Sequence, residues 1–298
     1  MQDKILVSCT VLAYNSSATI IETLESIKAQ TYTNIELIIS DDCSTDNTIA
    51  VCQEWLNENR DRFVRTEILT TDHNTGVVQN SQRVLNACRG EWRKGVGADD
   101  VLLPNCVEDF VHYVENHPEA KWVSSRYRVY NQSFEEKNLI ISNASAPTSL
   151  FEKDAIGQIK ETVVTNVFAA LALFYNIRFI KNIGYDSTYM FEDYPMIINI
   201  LERGERCYFL DKETVCYRVQ ESISHSMDRI FKYNTMLGYR KFKEERIFKY
   251  MTSNQKKYHR LLWKLQDFFE KHHLNNSNKW NHFLYYKIYA LLQFLYLR

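Results

Sequence analysis

The sequence predicts an α/β chain: a mainly parallel sheet flanked by helices, followed by a helical C-terminal extension. Three observations predict it. Ile5 to Ala13 and Ile35 to Ser40 are near-continuous apolar runs, the mark of strands buried on both faces. Amphipathic helical segments alternate with the strand-like runs, which implies right-handed crossovers. From about Met227 the chain turns helical, basic and aromatic.

Each element has its own local reason. Tyr14-Asn15-Ser16-Ser17 breaks the first strand. The following helix runs to about Gln30, with Thr19 and Glu22 spaced as a capping box and Ile20, Leu24 and Ile27 on one face. The second strand ends in Asp41-Asp42-Cys43-Ser44-Thr45-Asp46. Asp46 is placed to cap a helix from Asn47 to Asn59, on which Ile49, Cys52, Trp55 and Leu56 share a face. Arg65 to Thr70 reads as a third strand, Asp72 to Gly76 as a loop, and Val77 to about Arg89 as a helix. Trp92 to Val96 is a short strand leading into Gly97-Ala98-Asp99-Asp100. A helix from about Asn105 to Asn116 and an alternating strand from Trp122 to Tyr130 follow. Asn131 to Thr165 carries little signal, although Ser142 to Pro147 reads as a mobile loop. Pro195-Met196-Ile197 opens a helical run. Cys207 to Leu210 and Val215 to Val219 read as two short strands.

The chain has 298 residues and is 45% hydrophobic, enough for one large domain or a domain with an appendage. A net charge of -1 argues against a nucleic-acid partner. The seven cysteines include no C-x-x-C pair, so reduced, mostly buried thiols and a cytosolic setting are expected. The N-terminus runs into a strand without a basic n-region or cleavage site, so no signal peptide is expected. No stretch reaches the ~18–20 uncharged apolar residues of a membrane span.

The polar clusters at Tyr14-Asn15, Asp41-Asp42, Asn74-Gly76 and Asp99-Asp100 all follow strands or strand-like runs. In parallel sheets ligands bind beyond the carboxyl ends of the strands, so these clusters predict one cleft. Asp99 and Asp100 suit Mg²⁺ or Mn²⁺, which are held by one or two carboxylates plus the phosphates of a substrate. No G-x-G-x-x-G and no P-loop is present. A phosphate-bearing ligand would therefore need a metal to neutralise it. Plainer readings stand beside these. An Asp-Asp before an apolar turn is a common loop or helix cap. Tyr14 can be a packed ring, Glu192-Asp193 a pair favoured at a helix N-terminus, and His225 a solvated loop residue.

Several ordered motifs resemble the family 2 glycosyltransferases of the GT-A, Rossmann-like fold, over roughly the first three-quarters of the chain. They are Leu12-Ala13-Tyr14-Asn15; Gln30-Thr31-Tyr32; Ile35 to Thr48, the most specific; Asn74-Thr75-Gly76 with Asn80; Gly90-Glu91-Trp92; and Gly97-Ala98-Asp99-Asp100. Ile183-Gly184-Tyr185-Asp186, Phe191-Glu192-Asp193-Tyr194 and Tyr217-Arg218-Val219 follow on the acceptor side. The resemblance implies an inverting transferase of bacterial surface-polysaccharide type. It would move a sugar from a nucleotide sugar, UDP-linked by preference, to a hydroxyl of a growing polysaccharide or lipid-linked oligosaccharide. Donor contacts would fall on Leu12, Tyr14, Asn15, Asp41, Asp42, Asn74, Gly76, Asn80 and Asp99. Within these, Tyr14 would pack near the base, and Asp42, ahead of Asp41, would accept from uracil. Asp99 and Asp100 would share the ribose and the Mn²⁺ or Mg²⁺ contacts. Asp193 would be the general base, with Glu192 beside it.

The resemblance also organises the chain. Residues 1–225 would be the catalytic domain, with a nucleotide-binding half to about 104 and an acceptor-side half beyond it. Residues 226–298 would be the helical extension. Three positions depart from the pattern: Arg93-Lys94 in a strand that is usually apolar, Gly97 where a third Asp is common, and Gln220 where His is common. The tail from Trp280 to Leu297, with basic residues before it, suits an interfacial helix on the inner face of the cell membrane, or a helix packed on the core or on a second protomer. Two rival readings remain: a non-catalytic nucleotide-sugar-binding scaffold relative, and, lower, a sugar-phosphate nucleotidyltransferase.

Overall fold

The two apolar runs become neighbouring parallel strands. In the computed structural model, which describes residues 4–219 and 229–297, β1 (Val7–Ala13) pairs with β2 (Ile35–Asp41) across α1 (Ile20–Lys28). Next come α2 (Thr48–Asn59), β3 (Arg65–Leu69) outside β2, and α3 (Val77–Ala87). β4 (Trp92–Gly97) then pairs in parallel with the other side of β1. Then follow β5 (Val101–Leu102), α4 (Cys106–Asn116), β6 (Trp122–Asn131), β7 (Leu139–Ala144), α5 (Ala155–Thr162), β8 (Leu173–Asn176), α6 (Ile177–Lys181), α7 (Asp193–Leu201) and β9 (Tyr208–Val219). Gln220 and His225 lie outside the described residues.

The sheet runs β3-β2-β1-β4-β8-β6-β9-β5, with β7 on β6. Its order reverses at β1: the chain steps outward to β3, then crosses to lay β4 on the opposite side. Such a switch point opens a crevice past the carboxyl ends of the two strands. Strands β3, β2, β1 and β4 are mutually parallel, as the alternation predicts. β8 breaks the pattern, running antiparallel to both β4 and β6. The core lies under the parallel half, where Val7, Cys9 and Val11 of β1 meet Ile20, Leu24 and Ile27 of α1, all fully buried. All seven cysteines are free thiols, and six are buried.

The structure corrects three local expectations. Thr19 makes no capping bond; its hydroxyl donates to Ala98 O at 2.8 Å, and Glu22 pairs with Arg218. Distant partners outbid the local box. Ser142 to Ala144 are not loop but the end of β7, held because β6 is long enough to offer a second edge. The two short strands after Cys207 are one strand, β9, which pairs with β6 along most of its length. Arg93 and Lys94 lie inside β4, buried, and find partners there: Arg93 donates to Thr10 and Tyr185, and Lys94 to the Leu171 carbonyl.

The chain divides into two compact units, Met1–Gln158 with Val167–Val219, and Ile159–Asn166 with Gln220–Arg298. The second unit holds α8 (Tyr233–Phe242), a π-helical turn at Lys243–Ile247, α9 (Ser253–Lys271) and α10 (Lys279–Tyr296). Thr252 and Gln255 form a reciprocal capping box on α9. Phe231, Tyr258, Leu262, Phe269 and Tyr285 make this unit's core. No helix among the described residues is long and apolar enough to cross a membrane.

Candidate active site

The strand ends at the switch point are level. Leu12 of β1 is in register with Ser40 on one side and Gly97 on the other, and its carbonyl accepts from Ala98 N at 3.1 Å. Past that line Tyr14 leaves its ring half exposed, free to lie against a flat ligand. Asn15 adopts φ 50°, in the left-handed region that Asn tolerates well. Its Oδ1 accepts from Thr45 N at 2.8 Å and its own N–H donates to Ser44 Oγ at 2.7 Å, tying the β1 and β2 loops together.

The first Asp pair is buried and hydrogen-bonded. Asp41 accepts from the Ser44 amide and hydroxyl. Asp42 Oδ2 accepts from Thr75 N at 2.9 Å and Gly76 N at 2.7 Å, and its Oδ1 from Thr75 Oγ1 and Arg83 Nη2. Four donors fill the roughly four acceptor positions of a carboxylate. A uracil N–H could reach Asp42 by displacing one of them. Gly76, at φ 84°, makes the turn that points these amides at Asp42, and Asn74 Oδ1 accepts from the same Gly76 N–H. Asn80 is buried; it donates to Ser40 O and accepts from Arg83, so it ties α3 to β2. Asp46 accepts from Thr48 N and Ser17 N. Burial would raise its carboxyl pKa, but these bonds and the hydroxyls beside it bring it down to about 2.

The second pair follows β4. A β-carbon at Gly97 would meet Asp99 Oδ1 at 2.7 Å and Asp100 Oδ2 at 3.6 Å, so oxygens of both carboxylates face one point. Asp100 is buried, and its Oδ1 accepts from Arg218 N at 2.9 Å. Burial, and then the Asp99 charge, push its carboxyl well above the usual range. A divalent cation would reverse that, because an ion of that charge dominates local electrostatics. Among the described residues no three His, Cys, Asp or Glu side chains gather around one point. The donor set therefore fits an ion completed by a substrate's phosphates, not a cage built from protein alone.

The third pair opens α7. Glu192 is its N-cap residue and Asp193 its first residue, with Asp193 Oδ1 accepting from Tyr194 N at 2.7 Å. Burial, and then Asp193 beside it, raise the Glu192 carboxyl to about 7, against the pull of Arg93.

These features sit in a chain whose residues 8–176 match the family model described as Glycosyl transferase family 2. The chain belongs to the family 2 glycosyltransferases. Glycosyltransferase GlyG of Streptococcus pneumoniae serotype 4 is 30% identical over 128 residues, 43% of this chain and 41% of that protein. The Escherichia coli protein WfaP, named as a UDP-Glc:alpha-D-GlcNAc-diphosphoundecaprenol beta-1,3-glucosyltransferase, is 26% identical over 214 residues. That match covers 72% of this chain and 77% of WfaP. The structure of S. aureus TarS residues 1–349 in complex with UDP-GlcNAc superposes with a TM-score of 0.57 at 19% identity, over 73% of this chain and 60% of that one. The matches span 41% of GlyG and 35% of an uncharacterized Haemophilus influenzae glycosyltransferase, under half of either relative. The likeness to TarS shows that this chain has the GT-A architecture.

Sequence reasoning gave no role to three arginines. Arg83 shares a helix face with Gly76 and Asn80 by i, i+4, i+7 spacing, a signal that was available. Arg218 donates through Nε to Asp99 O at 2.8 Å and through Nη1 to Gln132 O at 2.7 Å, and pairs with Glu22. Its place in the Tyr217-Arg218-Val219 motif hinted at this. Arg93 stood out as an anomaly, without a sign of its partners.

Proposed function

We propose that this family 2 glycosyltransferase transfers a sugar, with inversion, from a UDP-sugar to a hydroxyl of a growing polysaccharide or lipid-linked oligosaccharide. The observation that carries the reading is the convergence of Asp99 and Asp100 at the switch point between β1 and β4. The name of WfaP and the UDP-GlcNAc bound to TarS support the donor and acceptor classes. Residues 1–225 form the catalytic domain in this reading.

The chemistry divides among the pairs. Tyr14 lies against the nucleobase, while Asp41, Asp42, Asn15, Asn74, Gly76 and Asn80 shape the loops around it. Asp99 and Asp100 would hold Mn²⁺ or Mg²⁺, and such an ion would supply positive charge to balance a diphosphate leaving group. Asp193 takes the proton of the acceptor hydroxyl, and Glu192 orients the acceptor or the base. A single displacement needs one such base, which typically contributes ~10²–10⁴-fold.

The test combines binding and turnover. UDP should raise the melting temperature more with Mn²⁺ than without, and Asp99→Ala/Asp100→Ala should remove the difference. Asp193→Asn should lose transfer while keeping the UDP shift. A folded protein that no nucleotide stabilises would favour the scaffold relative.

The extension carries a second part of this reading. Trp280, Phe283, Leu284, Leu291, Phe294 and Leu295 are exposed along one face of α10, whereas Tyr285 and Tyr289 on the opposite face join the core of the second unit. An exposed apolar stripe this long marks a docking surface. α10 contains no acidic residue and carries Lys279 and Lys287, which suits an anionic lipid surface. A second copy fits less well, because two-fold pairing about the stripe would set Lys287, near its middle, against its own copy. Leu291→Glu/Phe294→Glu should abolish sedimentation with phosphatidylglycerol vesicles at unchanged melting temperature. Undiminished vesicle binding, or a dimer that these changes dissolve, would refute the lipid assignment.

A further inference from the structure

The loop that carries Asp99 and Asp100 is bound along its backbone by side chains from elsewhere in the chain. Thr19, at the start of α1, donates through its hydroxyl to Ala98 O at 2.8 Å. Thr23 Oγ1 donates to Asp100 O at 2.7 Å. Between them, Arg218 of β9 donates through Nε to Asp99 O at 2.8 Å. Three consecutive carbonyls thus each receive a side-chain donor. Two amides of the loop are placed as well: Ala98 N–H donates to Leu12 O at 3.1 Å and Asp100 N–H to Gly97 O at 3.3 Å.

The sequence explains where these donors stand. Thr19 and Thr23 are four residues apart, so they share one face of α1. Thr23 is fully buried, beside Ile20, Leu24 and Ile27 on the face that packs on the core. A hydroxyl there is costly without a partner, and Asp100 O is that partner. The line of contacts continues past the carboxylates. Ser26 Oγ accepts from Leu102 N at 3.0 Å. Gln30 Nε2 donates to Leu103 O at 2.9 Å, and its Oε1 accepts from Val107 N at 3.0 Å. The first helix is therefore a rail along which the acidic loop and the segment after it are laid. Arg218 is fixed in turn, by Gln132 O at 2.7 Å from Nη1 and by Glu22 of the same helix.

These bonds govern direction. A peptide group is planar, so a hydrogen bond to its carbonyl restrains the orientation of the whole group. The carbonyls of Ala98, Asp99 and Asp100 belong to the peptide groups on either side of both Asp residues. Anchoring all three restrains where each Cα–Cβ bond points. Asp100 Oδ1 is held further by Arg218 N at 2.9 Å. The outcome is the pair seen from Gly97, with oxygens of both carboxylates facing one point.

We propose that Thr19 and Thr23 of α1, with Arg218 of β9, are positioning residues for the metal pair: they hold the loop's backbone so that Asp99 and Asp100 present their carboxylates together to a divalent cation. The proposal rests on the reading of that pair as the Mn²⁺ or Mg²⁺ site. The three residues act through the backbone, without touching the ion. Outer partners of metal ligands are typically worth about 10- to 100-fold in metal affinity.

The experiment is calorimetric titration of UDP into the full-length protein, with Mn²⁺ and with EDTA in its place. Thr23→Val removes one hydroxyl at nearly constant shape. It should cut the Mn²⁺-dependent gain in UDP affinity by about tenfold and leave the metal-free affinity native, and Thr23→Ser should restore most of the gain. Gln30→Met breaks the rail beyond the carboxylates, so it should lower the melting temperature while keeping the native gain. A native gain in folded Thr23→Val would overturn the proposal. So would an equal loss in Gln30→Met, because the gain would then report general loosening and not the placement of the pair. If Thr23→Val does not fold, Thr19→Val, which releases Ala98 O, decides by the same criterion. Native protein whose UDP affinity ignores divalent cations would defeat the metal reading itself, and the proposal with it; that result is distinct from a gain that survives in Thr23→Val.

Discussion

Substituting Gly97 by Ala tests the Asp99–Asp100 geometry with one methyl group. The added β-carbon would fall 2.7 Å from Asp99 Oδ1, against the 3.4 Å at which ordinary contact begins. The Asp99 carboxylate must retreat by about 0.7 Å, several times the roughly 0.2 Å within which metal–ligand distances are held. A displacement near 1 Å at a reacting centre can cost on the order of 100-fold, so Mn²⁺-dependent UDP affinity should fall about 10- to 100-fold, or ~1.4–2.7 kcal/mol. Stability should change by less than about 0.5 kcal/mol, because the obstructed atom is the end of a side chain that can rotate. Calorimetric titration of UDP, with and without Mn²⁺, beside urea unfolding, separates the two effects. Native Mn²⁺–UDP affinity in Gly97→Ala would show that Asp99 does not hold the ion. A large stability loss would show that Asp99 is fixed where it stands.

Other predictions follow from the same contacts. Arg218→Met should cost ~1–3 kcal/mol in urea unfolding by orphaning the Asp99 and Gln132 carbonyls, whereas Glu22→Gln should cost under ~1 kcal/mol because Glu22 is half exposed; equal costs would refute the burial argument. Burial would raise the Glu36 carboxyl, but bonds from Ser8, Arg89, Arg65 and Gly90 outweigh it and bring it below the ordinary 4.5. Its contribution is therefore present above that pH and lost as pH falls through the folded value, so the cost of Glu36→Gln, ~1–3 kcal/mol at pH 7, should shrink below pH 4. Burial alone lowers the Lys243 ammonium to about 7. The folded state then disfavours the charged form below pH 7, and this penalty fades as pH rises toward the unfolded value near 10.4. Lys243→Met should stabilise by ~1–3 kcal/mol at pH 6 and by nothing at pH 10; a gain that ignores pH would refute the assignment.

The sequence by itself determined the parallel half of the sheet and the positions of the acidic pairs. β1 and β2 are legible because a strand buried on both faces must be apolar throughout, a demand that each residue registers locally. Asp99-Asp100 is legible because the end of such a strand is where a parallel sheet places ligands. Only the tertiary structure decided what depends on partners distant in sequence. β9 pairs with β6 across more than 80 residues, so nothing near Cys207 announces one long strand. Thr19 and Glu22 have the spacing of a cap and yet bind Ala98 and Arg218, because those partners arrive with the fold. Asp42 looks like a free acceptor until Thr75, Gly76 and Arg83 close on it. Arg93 and Lys94 read as misplaced until Tyr185, Thr10 and the Leu171 carbonyl receive their protons. Local periodicity reports which side of a residue is buried; it carries no information about which polar group waits there to meet it.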